Sequence, residues 1–437
     1  MSELAHSETA QPSRAIAGLV AGLRREYALF LIGAGVVGLH IADDNFLQSN
    51  PGTGPEDHLA SGLVPIALLA AAAAVYPRLR AGARATIALV LGYFGVLAGT
   101  EAVHYTRAIG PSGDDYSGLL SIPAGLLLIG LGVVTLWRSR KKHDPLWWRY
   151  GRRALIAAGI AAIAIAALIP ISIAYVVTHA ARAHVPAADL GVPYETAEFT
   201  TSDGLTLKGW YIPSRNRAAV IVSPGRSGTR NEAKMLARRG YGVLLFDRRG
   251  EGESQGDPNG FGWQGERDIH AAVAFLQTRS DVDPERIGGI GLSVGGEMMI
   301  EAAAESSALK AIVSEGASGR SVRDILANPD RSWLNLSGNS VATAATALFT
   351  DNLPPPDLRS LVPKIAPRAV FFIYGERGQP VEEPANRAFY EDARGPKEIW
   401  EVPEAGHVGG LDAQPQAYER RVVGFFDRVL LQAGTSP

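Results

Sequence analysis

Long apolar stretches dominate the first 180 residues of this 437-residue chain. Five of them reach the roughly 20 residues that a helix needs to cross a hydrocarbon core about 30 Å thick. Only short loops separate them, which weighs against a large soluble domain with buried helices. The sequence therefore predicts an N-terminal, all-α transmembrane bundle in residues 1–180. The predicted spans are Tyr27–Phe46, Leu59–Tyr76, Ala85–Tyr105, Leu119–Trp137 and Ala154–Thr178.

A different pattern begins after a short linker, residues 181–193. Runs rich in β-branched residues alternate with helical patterns, which is typical of βαβ units around a mostly parallel sheet. Residues 194–437 are predicted to form an α/β domain with a doubly wound sheet, and the irregular region at about 319–363 a small cap. The predicted strands are Phe199–Ser202, Leu205–Ile212, Ala219–Ser223, Val243–Asp247, Ile287–Leu292, Ala311–Ser314, Val370–Tyr374 and Glu398–Val402. The predicted helices are Asn231–Arg239, Gly265–Thr278, Gly295–Glu305, Asn386–Asp392 and Gln416–Leu431.

The loops between the spans differ in charge. Basic residues precede the first span and fill the second and fourth loops, whereas the other two loops are mainly acidic. Because basic loops remain in the cytoplasm, the N-terminus is expected there. An odd number of spans then places the α/β domain outside a bacterial-type plasma membrane.

Composition excludes several kinds of function. The 42 Lys and Arg residues nearly balance 44 Asp and Glu residues. No basic patch of the kind that follows a phosphate backbone stands out, so nucleic acid is not an expected partner. The absence of cysteine excludes thiol catalysis, thiolate metal ligands and disulfides.

Ionisable side chains cluster at the predicted outer ends of the first three spans. Such groups are often functional at membrane depth, and histidine with carboxylates could bind a metal. The simpler interpretation is interfacial residues in contact with water, and no metal site is assigned. The residues are His40, Asp43, Asp44, Asp57, His58, Glu101 and His104.

The pattern Gly-x-Ser-x-Gly occurs twice. Residues 252–256 run into Asp257-Pro258 with no helix after them, which indicates a loop. Residues 291–295 instead join a predicted strand to a predicted helix. In that context the serine lies on a sharp turn, exposed beside a helix N-terminus that favours negative charge. Ser293 is therefore the candidate nucleophile.

A serine hydroxyl needs a neighbouring base to become nucleophilic. Two histidines lie in residues 194–437, and His270 falls in the middle of a predicted helix. His407 follows the last strand, at the carboxyl edge of the sheet where active sites of open α/β sheets lie. It is the candidate base.

Backbone amides are expected to stabilise the oxyanion. One is that of Val294, beside the nucleophile, and the other that of Arg226, in the loop after the Ala219–Ser223 strand. The Arg226 guanidinium could also attract a negatively charged substrate, or be a solvated loop charge.

These motifs, with Ser202-Asp203-Gly204, residues 247–254 and Gly406-His407, resemble the α/β-hydrolase superfamily over the whole C-terminal half. The nearest likeness is to dienelactone-hydrolase-like and peptidase-like members. The resemblance implies a Ser-His-acid triad that requires no cofactor, yet Gly378 stands where the family typically has the aspartate. Glu382 or Glu383 is expected to supply the carboxylate, unless both merely begin a helix. Glu376 and Glu315 are the alternatives.

Together these features predict a membrane-anchored serine hydrolase that cleaves an ester or related acyl bond in a small-molecule or lipid-like substrate. Three alternatives remain open. The same triad could serve an acyltransferase or a peptidase; the fold could be an inactive binding or sensing module; or the membrane half could be a transporter or lipid-binding domain with the hydrolase as its accessory.

Overall fold

The computed structural model describes residues 14–48, 50–110, 115–139, 146–179, 182, 189–225, 231–257, 262–321, 323–324 and 333–432. Contacts between Cα atoms divide the chain into two compact units. One comprises residues 1–49 and 58–154, and the other residues 50–57 and 155–437. The fifth predicted span therefore packs within the same unit as the α/β domain.

The first unit consists of apolar helices. Glycines allow two of them, α3 and α4, to approach closely: a Cβ atom at Gly92 would lie 2.6 Å from the carbonyl oxygen of Gly125, and one at Gly125 equally close to that of Gly92. Small residues have this role in membrane helix packing. The helices are α1 (Arg14–Phe46), α2 (Leu59–Val75), α3 (Ala81–Ile109) and α4 (Asp115–Arg138).

The fifth apolar helix is continuous through three segments. Helix α5 (Leu146–Ile163) passes through a π-helical turn, Ala164–Leu168, into α6 (Ile169–Thr178). Residues Ala154–Thr178 form one of five helical stretches that are long and apolar enough to cross a membrane. The prediction of five such helices is confirmed.

An eight-stranded sheet forms the centre of the α/β domain, in the order β1-β2-β4-β3-β5-β6-β7-β8. Strand β2 pairs antiparallel with β1 and β4, and the remaining pairs are parallel. The central strands are buried along their whole length, as expected when helices cover both faces of a sheet. The strands are β1 (Glu195–Thr200), β2 (Thr206–Ile212), β3 (Ala219–Ser223), β4 (Gly242–Phe246), β5 (Ile287–Leu292), β6 (Ala311–Glu315), β7 (Ala369–Gly375) and β8 (Lys397–Val402).

Two apolar clusters pack on the sheet. Side chains alternate between them along β3, with Ile221 in one cluster and Val220 and Val222 in the other. This alternation is the period-two pattern of a strand, and it confirms the predicted mostly parallel α/β fold. Helices α7 to α14 are Asn231–Arg238, Glu266–Gln277, Val294–Glu305, Trp333–Thr350, Leu358–Leu361, Glu382–Asp392, Gly410–Ala413 and Pro415–Phe426.

The region predicted to be an irregular cap contains a regular 18-residue helix, α10. The prediction of irregular structure was wrong for these residues. Helix α10 packs against α6: a Cβ atom at Gly338 would lie 3.5 Å from Pro170 Cγ, and Phe349 meets Tyr175 edge to face with centroids 5.5 Å apart. Three consecutive prolines, Pro354–Pro356, follow this helix.

Candidate active site

Ser293 joins β5 to α9 in a strained backbone conformation, with φ 53° and ψ −122°. Non-glycine residues rarely adopt a positive φ. The turn is held because the Ser293 amide donates to the Glu315 carbonyl at 2.8 Å and the Gly296 amide donates to the Ser293 carbonyl at 2.8 Å. A Cβ atom at Gly291 or Gly295 would collide with neighbouring backbone, which explains the glycines of the motif.

The His407 imidazole links the Ser293 hydroxyl to a carboxylate. His407 Nε2 lies 2.8 Å from Ser293 Oγ, and Nδ1 lies 2.5 Å from Glu382 Oε1. The Gln379 amide donates to the same carboxylate oxygen at 2.7 Å, and the Glu382 side chain is only 1% exposed. With the proton on Nδ1, the ring can accept from the serine while it donates to the glutamate.

Glu382 also sets the charge preference of the ring. Its hydrogen bond raises the pKa of His407 above the ordinary value, the nearby charges of Glu315 and Glu297 act in the same direction, and burial opposes them. The neutral form that can accept a proton is therefore favoured only above a raised pKa.

The other three candidate carboxylates bond to groups other than His407. Glu383 is more than half exposed and pairs with Arg387 at 2.9 Å. Glu376 accepts from the Glu404 amide at 2.8 Å. Buried Glu315 accepts from the Gly410 amide at 2.8 Å and the Tyr418 hydroxyl at 2.5 Å. Of these four predicted candidates, only Glu382 contacts His407.

The geometry also explains the missing aspartate. A Cβ atom at Gly378 would lie 2.5 Å from Glu382 Oε2. The Glu382 carboxylate, reaching in from the first turn of α12, therefore occupies the space that a side chain at position 378 would fill.

Of the two predicted oxyanion donors, Val294 lies among the described residues and Arg226 does not. Val294 is the first residue of α9, and amides of a first helical turn have no acceptor within the helix. The loop after β3 comes close to Ser293, since a Cβ atom at Gly225 would lie 3.2 Å from Ser293 Cβ. Arg226 lies outside the described residues, so its role stays a prediction.

The serine of the other Gly-x-Ser-x-Gly sequence, residues 252–256, is buried and bonds to backbone groups. Ser254 is fully buried; its hydroxyl donates to the Asp247 carbonyl at 2.6 Å and accepts from the Lys208 amide at 2.9 Å. His270 lies on α8 with Nε2 3.3 Å from the Ala302 carbonyl.

Ser293 and His407 open into a cavity of about 490 Å³, within the roughly 300–1,000 Å³ range of small-molecule sites. Sequence reasoning missed the part of its lining that comes from α6 and the cap helix α10. It also missed Glu297, one turn after Ser293, whose pKa burial raises to about 7. The lining residues from α6 and α10 are Ile173, Ala174, Val177, Asn339, Ala342, Thr343 and Thr346.

Polar side chains of the first unit form a hydrogen-bonded group. Ser117 Oγ donates to Asp43 at 2.6 Å and lies 3.2 Å from His40 Nδ1. Among the residues that the structure describes, no group of three or more His, Asp or Glu side chains is placed to hold a metal ion.

Known proteins resemble the C-terminal half. A family model described as X-Pro dipeptidyl-peptidase (S15 family) matches residues 174–375. The uncharacterized protein YfhR of Escherichia coli is 24% identical over 242 residues, which cover 53% of this chain and 80% of that protein. The polyketide transferase grgF of a Penicillium species is 33% identical over 148 residues, 32% of this chain and 49% of that protein. The solved structure of an esterase from Pyrococcus furiosus is 24% identical, covers 57% of this chain and 98% of its own, and superposes with a TM-score of 0.46.

The strand order, with its two antiparallel pairings at one edge, defines an α/β-hydrolase fold. The family match over residues 174–375 agrees with this fold and supports a hydrolase-fold enzyme of the S15 peptidase and esterase type, preceded by helices that could span a membrane.

Proposed function

We propose that the protein is a membrane-anchored serine hydrolase that cleaves an ester or related acyl bond. The observation that carries the proposal is the continuous hydrogen-bonded series from Ser293 Oγ through His407 to Glu382, with distances of 2.8 Å and 2.5 Å. Nucleophile, base and orienting acid in this geometry are what acyl transfer to serine requires.

The reaction proceeds in two halves. His407 Nε2 takes the proton of Ser293 as its oxygen attacks the acyl carbonyl, while Glu382 holds the imidazole and stabilises its cation. The amides of Val294 and Arg226 bind the oxyanion. Collapse expels the leaving group with the proton from His407, and water then releases the acyl group by the same route. No cofactor takes part.

Fluorophosphonate labelling tests the nucleophile. Such a probe should form one adduct, located by peptide mass spectrometry at Ser293 and absent at Ser254. An adduct at another serine would show that the nucleophile is misassigned, and a folded protein that is never labelled would favour an inactive binding module.

A second candidate is transfer of the acyl group to an acceptor other than water. A relative named polyketide transferase favours this alternative, whereas one named thiohydrolase fits hydrolysis; both reactions can use one acyl-enzyme. Product analysis in the presence of added alcohol distinguishes them: a new ester indicates transfer, and free acid alone indicates hydrolysis.

The proposed orientation has the N-terminus in the cytoplasm and the hydrolase outside. It rests on the loop charges. The contact between residues 50–57, an acidic loop predicted to be outside, and the α/β domain supports it: the Gly256 amide donates to the Pro51 carbonyl at 2.8 Å. A reporter fused after Pro437 should be active only outside the cytoplasm; cytoplasmic activity would reverse the orientation.

A further inference from the structure

Helix α6, the end of the fifth apolar span, forms part of the cavity that contains Ser293. Ile173, Ala174 and Val177 line this cavity. A wall built from a membrane-spanning segment is not needed for an anchor, whose only task is to hold the domain at the membrane.

One face of this span carries exposed apolar side chains. Ile165, Ile169, Ile173 and Val176 are between 51% and 58% exposed, and their spacing of about one turn places them together on the helix. Such a face suits contact with lipid chains. Ile173 belongs both to this face and to the cavity lining. The mouth of the cavity therefore lies at the lipid-facing surface, beside Ile173.

The cap helix α10 reaches the depth in the hydrocarbon core at which this part of α6 would lie. Its Gly338 lies against Pro170, eight residues before the span ends at Thr178, or about 12 Å at about 1.5 Å per residue. The outer half of a hydrocarbon core is about 15 Å thick. The hydroxyls of Ser340 and Thr343 bond to carbonyls of their own helix at 2.8 and 2.9 Å, which lowers the cost of placing them there.

We infer that the substrate is a fatty-acyl ester of a bilayer lipid, which enters the cavity sideways from the outer leaflet between α6 and α10. This inference rests on the proposed function. The apolar residues of α6 would contact the acyl chain. The polar residues of α10, Asn339, Thr343 and Thr346, would lie beside the ester and headgroup.

Two matched variants of the full-length protein in nanodiscs test this route. Ile173→Trp fills the mouth, whereas Ile165→Trp adds the same bulk two turns away on the same exposed face. Oleate release is measured from dioleoylglycerol in one arm and dioleoylphosphatidylglycerol in another, alongside hydrolysis of p-nitrophenyl acetate and fluorophosphonate labelling of Ser293.

The ratio of oleate release to acetate hydrolysis should fall about 10-fold or more in Ile173→Trp, since overfilling a close-fitting site is costly, and stay within about twofold in Ile165→Trp. The lipid that is cleaved identifies the headgroup of the substrate. Equal ratios in both variants, or acetate hydrolysis without oleate release from either lipid, would overturn the lateral route and leave the proposed function intact. Absence of both labelling and acetate hydrolysis would remove the proposed function, and this inference with it.

Discussion

Two stretches of this chain share the pattern Gly-x-Ser-x-Gly and differ in everything that matters for chemistry. Ser254 is buried and its hydroxyl bonds to backbone groups of Asp247 and Lys208. Ser293 is partly exposed beside a cavity, 2.8 Å from an imidazole nitrogen. The difference shows that the glycines specify only a tight backbone; the strand before, the helix after and a base within reach are what make Ser293, and not Ser254, the proposed nucleophile.

Replacing the two serines should separate these roles most strongly. Ser293→Ala is expected to lower kcat/KM by at least about 10³-fold, because the attacking oxygen is lost. Ser254→Ala should leave kcat/KM within a few-fold when assayed on folded protein with a short-chain ester. Comparable losses in both variants would remove the distinction.

The adjacent glutamates offer a second matched pair. Glu382→Gln should lower kcat by about 10²–10⁴-fold, because the amide no longer stabilises the imidazole tautomer and its cation. Glu383→Gln should change kcat less than about twofold, since its exposed side chain pairs with Arg387. A larger effect of Glu383→Gln would show that the acid has been assigned to the wrong residue.

The two serine variants should rank in the opposite order when stability is measured in place of activity. Ser254→Ala removes the hydrogen bonds that the buried hydroxyl makes with the Lys208 amide and the Asp247 carbonyl, so the free energy of unfolding should fall by about 1–3 kcal/mol. Ser293→Ala removes a partly exposed hydroxyl at a strained turn and should have a smaller effect. Urea unfolding followed by tryptophan fluorescence, in one detergent for all variants, measures both; an unchanged midpoint for Ser254→Ala would contradict its structural role.

The smallest expected effect concerns pH. In the proposed mechanism the neutral form of His407 is the active one, and the pKa of His407 is raised, so kcat/KM should rise with pH through a value above the ordinary 6.5. Glu297→Gln removes a negative charge that stabilises the His407 cation. The acid limb should therefore move to lower pH, by less than about one pH unit. A shift to higher pH would show that Glu297 acts on another group.

Much of this architecture could be predicted because it follows from local patterns. The apolar spans and buried strands have the lengths and residue types that their environments require. Ser293 and His407 could be chosen by their place relative to strands. Glu382 could not be separated from Glu383, because consecutive residues on a helix point about 100° apart and only the orientation of α12 decides which one meets the imidazole.

Helix α10 escaped prediction for a different reason. Serine, threonine and asparagine in its sequence usually favour loops, but here several hydroxyls bond within the helix and the apolar residues pack on α6. That partner lies more than 150 residues earlier in the chain. The cavity wall depends on the same long-range packing, which no local pattern contains.

The crowding between Gly378 and Glu382 constrains how the acid could have changed during evolution. A lineage that gained an aspartate at 378 while it kept Glu382 would have forced two carboxylates into one space. A lineage that lost Glu382 first would have left the histidine without its acid. Passage between the two arrangements therefore requires both exchanges together.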